Sequence, residues 1–374
     1  MKRILPIVIM LAVSADGMAQ GGVKNLVKKV GKMIDSLTIR GVDHRYIEAP
    51  EKPWQLIVKS NLNQSLVKMH TQGAIGDRQY NASPSLKTEP TAYVGLWLGY
   101  RGYGLGYTVN VGGNNGSFFN IGATGGRYGA TLRINSFRSY HPRLNLDSDL
   151  ISEENKDGWS KRDLEDPIRV RALIANAYYL LNGKRFSYAA AYDQSVVQKR
   201  SSGSLLAGAM YFYASIDYGT NSNADLVYLM HGLGRLKMWQ GGVGLGYAYN
   251  WVPTRGLLIS AMAVPMLTFV NKVKGYAYDT NVPELLEGSD FMNEEITDEQ
   301  WNSWHDNLRI TPSVEKTYNS GLTVNLDLRL SVTYNFSRYF MNCNGEFNNF
   351  RVRKNASNGR LENWVVNASF GVRL

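Results

Sequence analysis

This chain is poor in the residues that staple small folds or hold metals. It has a single cysteine, Cys343, in 374 residues, so no disulfide can form within it. Its histidines are His44, His70, His141, His231 and His305, and none lies three or four residues from another. That spacing excludes the usual histidine metal motifs, and neither metal nor cofactor is expected. Past the N-terminus no segment reaches 18 consecutive apolar residues, so a spanning helix is not expected. The formal charge is +10, yet Lys and Arg are scattered among strand-like segments. No basic helix or recognised motif gathers them, so nucleic acid is not an expected partner.

What is present is alternation. Leu322, Val324, Leu326, Leu328, Leu330, Val332, Tyr334 and Phe336 share one face of an extended segment. Thr323, Asn325, Asp327, Arg329, Ser331, Thr333 and Asn335 share the other. Side chains switch faces at each residue of a strand, so one face is apolar and the other polar. A membrane-spanning strand needs only about 9–11 residues. Apolar outward to lipid and polar inward is the pattern of a transmembrane β-barrel. The plentiful Gly and Tyr, 37 and 23, suit barrel bends and interfacial girdles.

The N-terminus points to the same compartment. Lys2 and Arg3 precede a short apolar run, Ile4 to Val13, and Gly17 and Ala19 are small residues placed for cleavage before Gln20. Residues 1–19 therefore read as a secretory signal peptide. Its loss removes Lys2, Arg3 and Asp16 and leaves 39 − 30 = +9. That basicity fits contact with anionic lipid headgroups or a basic lumen. Residues 20–53 read as a periplasmic segment with an amphipathic helix over Val23 to Leu37, whose apolar positions repeat every three to four residues. Residues 54–374 are the expected barrel, in the outer membrane of a Gram-negative bacterium. The expected partners are outer-membrane lipids and, during biogenesis, the barrel-assembly machinery.

Strand candidates run over Trp54–His70, Ala92–Tyr100, Tyr103–Val111, Ser117–Thr124, Tyr128–Tyr140, Arg169–Leu181, Phe186–Val197, Ser204–Tyr218, Lys237–Trp251, Gly256–Val270, Gly321–Phe336, Phe340–Val352 and Leu361–Leu374. These are thirteen, whereas bacterial barrels usually carry an even number. Either Asp225–Leu233 adds a strand or one candidate does not span. The fold expected is all-β, an antiparallel transmembrane barrel of about 12–14 strands with a short N-terminal helical segment. The last candidate is similar to a barrel assembly signal, although it ends in Leu374 rather than an aromatic residue.

The block Phe186-Ser187-Tyr188-Ala189-Ala190-Ala191-Tyr192-Asp193-Gln194, followed by Gln198-Lys199-Arg200-Ser201-Ser202-Gly203-Ser204-Leu205-Leu206, carries a resemblance. Tyr46-Ile47-Glu48 and Gly246-Tyr247-Ala248-Tyr249 add to it. In these pieces the chain resembles an uncharacterised domain-of-unknown-function family of Bacteroidota outer-membrane β-barrels. The resemblance implies a barrel and a location, and brings no activity and no catalytic residues.

From the residues themselves, Gln194, Gln198, Lys199 and Arg200 are candidate lumenal binding residues, because lumenal cations attract anions or lipid phosphates. The alternative for this polar block is a network that plugs or stiffens the lumen. The stretch from Tyr276 to Arg309 is acidic and carries Trp301 and Trp304. It lacks the ordered spacing of a calcium loop and is expected to be an extracellular loop. The functional expectation is a passive pore or lumenal binding site for small polar or anionic solutes, or a structural envelope protein. The alternative is a lipid- or envelope-modifying enzyme, which requires a Ser, a His and a carboxylate to converge.

Overall fold

A computed structural model describes residues 41–75, 78–112, 116–140, 143–148, 166–224, 227, 232–281, 303, 306–354 and 357–374. The expected signal peptide, the helix over Val23–Leu37 and most of the acidic loop lie outside these residues, as do His141, His231 and His305.

The strands, in chain order, begin with β1 (Ile47–Glu48), β2 (Trp54–Ile75), β3 (Arg78–Lys87), β4 (Thr91–Tyr100), β5 (Tyr103–Asn110) and β6 (Gly116–Gly125). There follow β7 (Tyr128–Ser139), β8 (Arg143–Ser148), β9 (Ile168–Leu180), β10 (Val197–Gln198), β11 (Ser202–Asp217) and β12 (Leu233–Thr254). The chain ends with β13 (Leu257–Thr280), β14 (Ile310–Asn319), β15 (Thr323–Phe336), β16 (Tyr339–Lys354) and β17 (Ser357–Arg373).

A closed antiparallel barrel of 12 strands results. Its wall runs β2, β4, β5, β6, β7, β9, β11, β12, β13, β15, β16, β17, and β17 pairs back onto β2. Closure leaves no sheet edge in the wall, so every wall strand has two partners. Three further strands, β3, β8 and β14, extend the wall at one end, and β1 and β10 form a separate two-stranded sheet. β3 pairs the upper half of β2 and also β8, while β14 pairs the upper half of β13.

Both ends of the barrel chain, Trp54 and Arg373, lie at the opposite end, here called the terminal end. Four two-residue hairpins lie there as well, between β4 and β5, β6 and β7, β12 and β13, and β15 and β16. The first is Arg101-Gly102, with φ of 49° and 89°. Two successive positive φ values match the right-handed twist of the flanking strands, and the second favours glycine. The β9–β11 connection, residues 181–201, also starts and ends there, while the connections β7–β9, β11–β12 and β13–β15 occupy the far end.

Alternation decides the two surfaces. Outward positions include Leu96, Leu205, Leu245 and Leu330, all exposed. On β12 the outward apolar and aromatic residues run from Trp251 to Trp239. Twelve steps of about 3.3 Å at a tilt near 40° span roughly 30 Å, which matches a hydrocarbon core. Inward positions are polar on β15 but apolar on β11 and β13. There Met210, Phe212, Met262, Val264 and Met266 are buried, and Phe212 stacks on Phe350 at 3.7 Å.

One strand expectation fails, over Phe186–Val197. Those residues leave the wall. They form a short helix, α1 (Tyr188–Tyr192), and a return that pairs β10 with β1. Removing that candidate leaves twelve. Ser187 caps the helix, its Oγ accepting from the Ala190 backbone N at 3.1 Å. Three consecutive alanines, the best helix formers, follow the cap.

Candidate functional site

The connection between β9 and β11 carries α1 into the barrel. Phe186, Tyr188, Ala189, Ala190 and Ala191 are all buried. Ala189, Ala190 and Ala191 pack with Ile47, Val196 and Leu258, which ties the plug to β1 and the wall. The Tyr188 ring lies against Gly129 of β7, where an added Cβ would come within 2.3 Å of Tyr188 Cδ1. Glycine is needed there for the ring to reach the wall.

Arg329 of β15 reaches across the lumen to this plug. Its side chain is 2% exposed. Nη1 donates to the Tyr188 hydroxyl at 2.8 Å, Nη2 to the Tyr178 hydroxyl at 2.9 Å, and Nε to Asp327 Oδ1 at 3.2 Å. Tyr178 in turn donates to Asp327. Glu346 lies 4.0 Å from Arg329 Nη1 and pairs with Arg133 of β7. A buried guanidinium is tolerated only when paired and hydrogen-bonded, and this one is.

The wall holds the rest of the plug through two backbone carbonyls and one carboxylate. Ser331 Oγ donates to the Ala191 carbonyl at 2.6 Å, and Arg373 Nη2 donates to the Gln194 carbonyl at 2.9 Å. Thr124 Oγ1 donates to Asp193 Oδ2 at 3.1 Å. The β6, β15 and β17 strands are thus all fastened to one short helix and its exit.

Beside the plug lies a polar cavity of about 90 Å³, with Lys59, Trp97, Arg133, Asp193, Arg329 and Glu346 among its lining residues. That is room for several waters. Arg133 and Arg329 are matched to carboxylates, whereas Lys59 Nζ stands over the Trp97 ring, 4.1 Å from its centroid. With Asp327, the partner of Arg329, the three cations Lys59, Arg133 and Arg329 face three carboxylates, Asp193, Asp327 and Glu346.

The candidate residues separate. Gln194 lies in the lumen at φ +59°, its Nε2 donating to the Ala191 carbonyl at 3.0 Å. Gln198 is buried and fully committed. Its Oε1 accepts from the Ser187 N and Asn250 Nδ2, and its Nε2 donates to the Arg185 and Arg200 carbonyls. Lys199 and Arg200 are exposed outside the lumen at the terminal-end mouth. Lys199 Nζ is 3.4 Å from Glu48, and Arg200 approaches the Tyr46 ring at 5.9 Å. The expected lumenal placement of these two cations is therefore corrected. They follow the plug after it has left the barrel. The residues that sequence reasoning left unassigned are Lys59, Arg133, Tyr178, Arg329 and Glu346. Alternation marks each of them as inward, but no local signal shows that they converge.

At the far end His70 Nδ1 lies 3.0 Å from Ser83 Oγ. The β3–β8 register sets Asp147 opposite Ser83. The order across the strands is thus His, Ser, Asp. Among the described residues no cluster of metal-ligating side chains occurs.

Residues 41–373 match the family described as "Domain of unknown function (DUF4421)", and the chain belongs to it. No curated protein matches. Among solved structures, the chain is similar to the outer membrane protease OmpT from Escherichia coli at 8% identity and a TM-score of 0.37, over 87% of this chain and 97% of that one. It is similar to the translocator domain of the autotransporter NalP from Neisseria meningitidis at 8% and 0.30, over 95% and 96%. It is also similar to the outer membrane protein OprG from Pseudomonas aeruginosa at 10% and 0.26, over 86% and 96%. Likenesses this distant assign no activity.

Proposed function

We propose that this chain is an outer-membrane barrel closed by its own plug, whose lumen binds a small polar or anionic solute. It does not act as an open pore in this state. The observation that carries the reading is the Arg329–Tyr188 contact, which fixes α1 across the lumen within a buried charge network. The polar cavity beside it, with Lys59 and the Asn61, Asn342 and Asn344 amides among its lining, supplies the binding chemistry. The apolar outer belt supports a membrane location, and barrel topology favours the terminal end in the periplasm.

Planar-bilayer recording of the purified full chain tests this. The wild type should show little steady conductance. Replacing residues 187–194 by a Gly-Ser linker of the same length should open a steady current. A large, stable conductance in the wild type would show that the plug does not close the barrel. An enzyme reading would need a carboxylate on the histidine side of the His70–Ser83 contact.

A further inference from the structure

The outer surface above the apolar belt carries a patch of charge that the lumen does not explain. Cross-strand register makes it visible. An upper row on adjoining strands reads Arg138, Arg169, Asp217, Arg235, Tyr276 and Glu315, each opposite the next. The row beneath it reads Ser136, Arg171, Ser215, Lys237, Lys274 and Thr317. The next row down begins Ile134, Leu173, Tyr213, Trp239, and Tyr213 and Trp239 are ring neighbours at 5.5 Å. Basic side chains therefore begin where the aromatic border of the lipid belt ends, a boundary where Trp and Tyr sit at headgroup level.

Two features of the patch are costly for the protein alone. Arg138 stands directly opposite Arg169, and Lys237 directly opposite Lys274. Like charges so placed destabilise a sheet. Three cations also crowd one ring, with Arg235, Lys237 and Lys274 at 5.1, 5.1 and 5.4 Å from the Tyr276 centroid. Asp217 pairs with Arg235 and Glu315 with Lys274, so the two rows hold six cations against two carboxylates, a net of 6 − 2 = +4. Neighbouring strands are about 4.8 Å apart, so cations on successive strands can share one phosphate.

We infer that this face, on β7, β9, β11, β12 and β13, binds the phosphate-bearing headgroup of a lipid in the leaflet at the far end of the barrel. The lipid's chains would lie along the apolar rows below, and its phosphates would bridge the opposed cations with charge-assisted hydrogen bonds. This rests on the membrane part of the reading above and is independent of what the lumen holds.

The test uses the folded full chain in neutral detergent. Its probes are a diphosphorylated lipid A, the same lipid with its phosphates removed, and inorganic phosphate alone. The variant is Arg169→Gln, Arg171→Gln, Lys237→Gln and Lys274→Gln together, with Lys184→Gln and Arg255→Gln at the terminal end as control. Diphosphorylated lipid should bind the wild type and the control alike. It should bind the quadruple variant at least about tenfold more weakly, since each surface Lys or Arg contributes appreciably to anionic-lipid attraction. Equal binding by wild type and quadruple variant, or by the phosphate-free lipid, would overturn the inference. Inorganic phosphate binding as tightly as the lipid would overturn the lipid source. If the quadruple variant does not fold, wild-type binding is followed across salt instead. Binding should weaken as salt rises, and a salt-independent affinity would overturn the inference. Failure of the membrane reading would look different, because the wild type would then not fold in detergent.

Discussion

Tyr188 and Arg329 stand 141 positions apart and meet through a 2.8 Å hydrogen bond in the middle of the barrel. One belongs to a five-residue helix and the other to a strand of the wall. The bond makes the helix part of the wall's charge network rather than a loose loop. It also makes the plug sensitive to changes far from it in sequence.

Arg329→Gln should therefore be strongly destabilising. It leaves Asp327 buried without its charge partner, and breaking a buried pair from one side typically costs about 3–5 kcal/mol. The measurement is the temperature at which the folded, fast-migrating gel form is lost. Arg329→Met with Asp327→Leu, which removes both charges, should recover part of that loss. A double variant no more stable than the single would mean the charge pair is not the source of the cost.

Outward and inward positions on β15 should respond differently from what alternation alone suggests. Leu330 is 64% exposed on the outer face. Leu330→Arg should cost roughly 2–4 kcal/mol in folding from denaturant into bilayers, as charge near mid-membrane does. Alternation by itself predicts that Asn325→Arg, on the inner face, is tolerated. The structure reverses that expectation. Asn325 is 1% exposed, donates to Gln240 Oε1 at 2.7 Å and accepts from Arg351 N at 2.9 Å. Both substitutions should lower stability, the second by overpacking and by unpairing buried amides.

The long connection between β13 and β14 should face outside the cell, because barrels keep long loops there. An epitope inserted near Gly288 should be labelled on intact cells. Labelling that requires permeabilised envelopes would turn the barrel over, and would move the basic patch to the inner leaflet with it.

Asp43 precedes the barrel, and hydrogen bonds from Arg45 hold its carboxyl at about 2 instead of the ordinary 3.8. A depressed carboxyl stabilises the folded form above its unfolded value, and that contribution disappears as pH falls through about 2. A ¹³C titration should place the Asp43 midpoint near that value. Arg45→Gln should move it up towards the ordinary range, and an unmoved midpoint would remove Arg45 as the cause.

Alternating polarity on strands such as β15 was enough to determine an all-β barrel, because the side-chain period of two leaves one face for lipid and one for the interior. It also located twelve wall strands to within a few residues at many of their ends. The sequence went wrong at Phe186–Val197, where Phe186, Tyr188 and Tyr192 mimic a strand face. The Ser187 cap and the three alanines after it were the local signs of a helix. What only the tertiary structure decided is where inward residues meet. Arg329, Tyr178, Glu346, Arg133 and Tyr188 come from five separate segments, and nothing local ties them. Their convergence depends on barrel closure, on the order of the strands around the wall, and on Gly129 leaving room for the Tyr188 ring. The opposed cations of the outer patch are set in the same way, by cross-strand register, which is a property of pairs of strands and not of any one of them.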